Sequence, residues 1–289
     1  MSQIHGTFSE EFKALWGPTS KTRTVWDQLG TLYQGIRAFS QQQFKVHARL
    51  RAMKEIEADM ASRRRPMEIL YLEVVQTLWT KILLRTLMKV GDAMQLVFYS
   101  ANTWNAYGCA LGARSILEHV AFLEYFASKT PWIEKPYVDL KDAIPFTKEL
   151  LKLSTGSRFD WDRLMHGQIR HMVADGKWQR PKDERIPLCA DLIKSLEIAL
   201  RKAGKLEYKN EIGFLYGILC DVVHPSWGGD FIYGPDIRQQ VKPSGEQLNR
   251  FKASMVIFCG SLLGITAHLV RLYKSLTTNV PNLILQREP

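Results

Sequence analysis

Apolar positions recur at helical spacing along most of this 289-residue chain. Trp26, Leu29, Leu32, Tyr33 and Ile36 mark one face of a helix predicted from about Val25 to Asp59, with Thr24 as its cap. Its second half carries Arg49, Arg51, Lys54, Glu55, Glu57 and Asp59, a composition suited to solvent or to a second subunit. Ile69, Leu72, Leu78, Trp79, Ile82, Leu83 and Leu87 set a further long helix, starting at Pro66 because proline favours a first turn. Gly91-Asp92 is expected to end it, with Asp92 as the next N-cap. The following stretch, Trp104 to Phe126, is apolar almost all round, the pattern of a helix inside a bundle.

Thr130-Pro131 closes that helix. Helical patterns then cover 139–153, 159–173, 188–203 (closed by Gly204) and 207–223. A last helix is expected from a Ser244 cap to about Ser275, in which Gly260, Ser261 and Gly264 would let a neighbour approach closely. Residues 231–241 are the one stretch compatible with a short extended piece. The fold class is therefore all-α: a multi-helix bundle around a buried central helix (about 104–126). Residues 1–65 are expected to form a basic N-terminal helical extension and 66–289 the bundle. Residues 1–24 lead in loosely, with Phe8, Phe12, Leu15 and Trp16 able to dock as one turn of helix.

Lys and Arg number 39 against 29 Asp and Glu, a net charge of +10 that favours anionic partners such as nucleic acid. Residues 1–65 hold 11 basic and 6 acidic side chains, including the run Arg63-Arg64-Arg65. These arginines precede a helix start, where the dipole opposes them, so they are candidate phosphate contacts or a solvated basic turn. Cys109, Cys189, Cys220 and Cys259 form no C-x-x-C pair and read as reduced thiols of a cytoplasmic protein. The start, Met-Ser-Gln-Ile-His-Gly, has no signal-peptide pattern. The uncharged run 253–267 is shorter than the roughly 20 residues of a span, so no membrane is expected.

Several chemistries lack their motifs. There is no Gly-rich phosphate loop, no H-E-x-x-H, no nucleophile elbow and no zinc spacing. Asp162 with His166 and His171 with Asp175 are pairs only, fewer than the three or four ligands a metal needs. No metal and no cofactor is therefore expected. What remains is Arg114 and Glu118 in the middle of the central helix, with Ser115 and His119 beside them, and His224 and Ser226 after a later helix. Four helical residues turn through about 400°, so Arg114 and Glu118 share a face roughly 40° apart. Pro225 pushes His224 out of the α region, which leaves an imidazole at a helix end.

Ala110-Leu-Gly-Ala-Arg-Ser-Ile-Leu-Glu118 and Tyr216-Gly-Ile-Leu-Cys-Asp-Val-Val-His-Pro-Ser226 resemble the two motifs of a bacterial helical domain family of unknown function. That family is similar to the HEPN-like superfamily; Cys220 stands where the second motif has Ser. The resemblance covers roughly 92–128 and 212–227. It implies a helical, RNA-directed protein, a metal-independent endoribonuclease of a toxin or phage-defence system, with RNA, a second copy of the chain and an antitoxin or defence component as partners. Arg114-Ser-Ile-Leu-Glu-His119 also satisfies the superfamily's Arg-x4–6-His spacing, but positions five apart on a helix point about 140° away from each other. Arg114 with His224 is the better pair, with Glu118 orienting one of them and Ser115, His119, Ser226 and Arg63–Arg65 contacting substrate. The alternative is a non-catalytic helical binding module using the same Arg/Glu/His pocket. In its blandest form, Arg114 and Glu118 are a structural ion pair and His224 a helix cap.

Overall fold

A computed structural model describes residues 6–63, 65–129, 147, 149–150, 152–153, 187–224 and 243–285. Among the described residues the regular structure is entirely helical. The helices are α1 (Glu10–Lys13), α2 (Lys21–His47), α3 (Met53–Ser62), α4 (Met67–Asn102), α5 (Ala106–Ser128), α6 (Cys189–Lys202), α7 (Glu211–Val223), α8 (Gly245–Gly260) and α9 (Leu262–Leu285). The expectations over 139–146, 159–173 and 231–241, including Asp162, His166, His171 and Asp175, lie outside the described residues.

Two compact units emerge. One takes residues 1–44, 84–130 and 189–277; the other takes 45–83, 131–188 and 278–289. These units do not coincide with an extension at 1–65 followed by a bundle: residues 6–44 belong to the unit that holds α5.

In the first unit α5 is the axis. Cys109, Ala110, Ala113, Ile116, Leu117, Val120, Ala121, Leu123 and Phe126 are all fully buried. The helix packs against α6, α7 and α8. It begins two residues later than its apolar run, because Asn105 accepts a hydrogen bond from Gly108 N (2.9 Å) and caps it. Small residues bring α4 close. A Cβ on Gly112 would sit 2.6 Å from Val97 Cγ2 and 2.9 Å from the Ala93 carbonyl oxygen, so only glycine fits there. The 6–16 segment is packed rather than loose. Ser9 caps α1 by accepting from Phe12 N (3.1 Å), and Ser9 N donates to Asn102 Oδ1 (2.7 Å). Phe8, Phe12 and Trp16 are buried against one another and Trp26, with Phe98 and Phe251 closing the cluster.

Three boundaries depart from the periodicity. The helix expected from Val25 to Asp59 starts at Lys21 and stops at His47, and α3 is separate. Gly91-Asp92 does not end α4, which continues to Asn102. Val90, Ala93 and Met94 are buried there, and their packing outweighs the roughly 1 kcal/mol that glycine costs a helix. The expected last helix is two, divided at Ser261, and among the described residues nothing approaches within 4 Å of a Cβ placed on Gly260 or Gly264. The stretch Gly245–Thr277 is long and apolar enough to cross a membrane by length and composition, and half of its most apolar window is buried.

In the second unit Ile56 and Leu70 are fully buried, and Val74, Val75, Leu78, Trp79, Ile82 and Leu83 are nearly so. Arg51 binds Asp59 (2.6 Å) and Glu73 (2.8 Å), and Glu73 also holds Arg65 (2.6 Å).

Candidate functional site

The site is built on α5 and α7. Arg114 and Glu118 are one turn apart on α5, and Arg114 Nε donates to Glu118 Oε1 at 2.9 Å. Arginine N-terminal to glutamate is the weaker order for such a pair on a helix, so the contact gains little from α5 itself. Its reinforcement comes from α7. Tyr216 donates its hydroxyl to the same Oε1 at 3.1 Å, and its ring lies under the guanidinium, 5.6 Å from the centroid. α7 stops at Val223, and His224 is extended (φ −85°, ψ 152°), as Pro225 requires. That turn brings His224 Nε2 to 3.2 Å from Arg114 Nη1.

Arg114 and Glu118 keep 20% and 25% of their side-chain surface exposed, and His224 is exposed. The cluster therefore opens to solvent rather than lying sealed in the core. Burial works against the Arg114 charge, but the Glu118 hydrogen bond and charge outweigh it and hold the guanidinium above its usual pKa. Burial, then the Glu118 carboxylate, push the Tyr216 phenol well up, so Tyr216 remains a donor. A guanidinium can only donate, so a hydrogen bond across this contact needs His224 Nε2 as the acceptor. Among the described residues Arg114 Nη2 has no hydrogen-bond partner, which leaves a donor at the opening. An arrangement of this kind can grip an anionic oxygen and exchange a proton beside it.

The remaining sequence-predicted positions divide. Ser115 is half-buried, and no described hydrogen bond joins it to the cluster. His119 lies apart from Arg114, as its helical spacing requires. Burial, then Lys89, lower its pKa to about 4. Arg63 and Arg65 belong to the other unit. Arg63 ends α3 in the left-handed region (φ 51°) and is exposed, whereas Arg65 is matched by Glu73. Arg64 and Ser226 lie outside the described residues.

Residue patterning did not reveal three groups. The part Tyr216 plays is legible only once α7 lies against α5, although its position in the second motif marked it. Glu124 meets His268 at 2.7 Å, a pairing across 144 positions with no local signal. Glu197 is buried on α6 and accepts from Arg201, Asn210 N and Gly213 N, which caps α7 from a neighbouring helix. A cleft of about 630 Å³ opens beside it, with Tyr216 in its wall.

All four cysteines are free. Cys109 and Cys259 are fully buried, which raises both thiols, Cys259 to about 12. Cys189 and Cys220 are half-buried, and Cys220 lies near enough to Arg114 and Tyr216 to act on both. Among the described residues no group of three or more His, Cys, Asp or Glu side chains could hold a metal ion. No family model, curated protein or solved structure matches this chain.

Proposed function

We propose that this chain is an HEPN-like, RNA-directed protein that acts as a metal-independent endoribonuclease of a toxin or phage-defence system. It would work in the cytoplasm, with a second copy of the chain and an antitoxin or defence component as partners. The observation that carries the reading is the 3.2 Å approach of Arg114 Nη1 to His224 Nε2 at an opening to solvent. Proton transfer and charge stabilisation are the two demands of RNA self-cleavage, and these two groups supply one each.

A phosphate entering the site draws the Arg114 Nη donors to its oxygens and releases His224 Nε2. The neutral imidazole then takes the proton of the neighbouring 2′-hydroxyl. The 2′-oxygen attacks phosphorus, the P–O5′ bond breaks, and the leaving 5′-oxygen takes a proton from solvent, to which the His224 imidazolium returns the one it accepted. The products are a 2′,3′-cyclic phosphate and a 5′-hydroxyl. Arg114 stabilises the charge that grows on the phosphoryl oxygens, while Glu118 and Tyr216 keep the guanidinium in place. The test is cleavage of end-labelled RNA in EDTA by the parent, Arg114→Ala and His224→Ala. Activity in the parent, loss of at least 100-fold in each variant, and growth toxicity lost in parallel would support the reading. A parent that leaves RNA intact, or variants that cut as fast, would sink it.

One observation favours a second reading. His224 Nε2 is occupied by Arg114 in this state, which suits a module that binds an anionic ligand or protein without cutting. Arg114-dependent binding of RNA with no cyclic-phosphate product would select that reading.

A further inference from the structure

The cleft between α6 and α7 is not part of the Arg/Glu/His cluster, yet Tyr216 belongs to both. Its volume of about 630 Å³ falls in the range of small-ligand sites. Ile193, Ile198 and Ala190 supply apolar wall, and Lys194, Arg201 and Lys209 supply positive charge. Its one carboxylate, Glu197, is already engaged by Arg201 and by the Asn210 and Gly213 amides. The α7 N-terminus is thereby taken, so attraction for an anion rests on the lysines. Among the described residues neither Lys194 nor Lys209 has an ion-pair partner, and both side chains are exposed.

We propose that this cleft is a nucleotide subsite, its apolar wall receiving a base and Lys194 and Lys209 the attached phosphate. The proposal rests on the RNA reading of the neighbouring cluster and names where the strand goes next. Tyr216 is common to both, so a base in the cleft and a phosphate at Arg114 belong to neighbouring nucleotides of one strand. A base with its phosphate can come from a strand or from a free nucleotide, and both satisfy the same groups.

The test is fluorescence anisotropy of a labelled, uncleavable 2′-O-methyl single-stranded RNA. It is titrated with the parent, with Lys194→Glu/Lys209→Glu, and with Ala190→Trp, which fills the cleft without altering charge. Both variants should bind at least tenfold more weakly with melting temperatures near the parent's. The charge reversal should also flatten the salt dependence of log K by about one unit. Competition by a free nucleoside monophosphate would name the free nucleotide as occupant; its absence would name the strand. Parental affinity in the charge-reversed protein overturns the subsite. Weakening by charge reversal but not by Ala190→Trp also overturns it, because the lysines would then act as surface charge. These outcomes are independent of cutting: a parent that binds through the cleft but yields no cyclic phosphate overturns only the endoribonuclease reading.

Discussion

Arg114 and His224 are 110 positions apart in the chain, and their side chains meet at 3.2 Å. The guanidinium is held in turn by Glu118 through Nε and lies over the Tyr216 ring. One side chain thus spans the junction of two helices, and its flat fork allows both hydrogen bonds at once.

Arg114→Lys should test that fork. A lysine keeps the charge but cannot reach Glu118 and His224 together in the same geometry. RNA cleavage should fall at least 100-fold, whereas RNA binding should weaken only severalfold. Stability should drop by about 1 kcal/mol, less than for a buried charged hydrogen bond because the pair borders solvent. Single-turnover cleavage, anisotropy and urea unfolding measure the three effects. A lysine variant with parental cleavage would reduce Arg114 to a simple positive charge.

Tyr216→Phe removes one hydroxyl and leaves the ring beneath Arg114. It should cost about 1 kcal/mol, from the lost hydrogen bond to Glu118. As a positioning residue, Tyr216 should affect the rate at saturating RNA more than the RNA concentration for half-maximal rate. Equal effects on both would mean that the hydroxyl serves binding alone.

Glu197→Ala should destabilise by about 2 kcal/mol, since it strips the Asn210 and Gly213 amides of their acceptor. Glu197→Gln keeps an acceptor oxygen and should lose about half as much. Urea midpoints at unchanged slope will separate the two. Indistinguishable stabilities in parent and alanine variant would contradict the capping role.

Gly112→Val should be damaging, because Gly112 is buried where α5 meets α4. The added carbons meet Val97 and the Ala93 carbonyl and force α4 from α5. A loss of about 2 kcal/mol is expected, read as a lowered melting temperature. A melting temperature equal to the parent's would mean that the α4–α5 approach has slack.

His119 provides a pH dependence. Its pKa in the folded chain is lowered to about 4 from 6.5, so between those values the unfolded chain binds the proton more readily. Its contribution to stability is complete above pH 6.5 and is lost as pH falls toward 4, up to about 3 kcal/mol in all. His119→Gln should flatten that part of the stability profile while RNA cleavage survives. Urea unfolding of both proteins from pH 7.5 to 4.5 is the measurement, and parallel profiles would refute it.

Helix-by-helix, the chain's own patterning determined a great deal. Apolar residues all round α5 meant burial, and most of α5 is buried, although Tyr107 and Leu111 are exposed. Pro225 meant that α7 stops before His224, and it does. Gly204 closes α6 in the left-handed conformation (φ 64°). The shared face of Arg114 and Glu118 followed from helical geometry alone. Each of these is a local matter, settled by sterics or periodicity within a few residues. Patterning failed where packing competes with propensity: Gly91 stays helical in a stretch where Val90, Ala93 and Met94 are buried, and nothing in 48–52 marks the end of α2. Only the tertiary structure decided that His224 reaches Arg114, that Tyr216 reaches Glu118, and that Glu197 caps a helix other than its own. These contacts depend on how helix faces pack, and a face carries no record of which distant residue will lie against it.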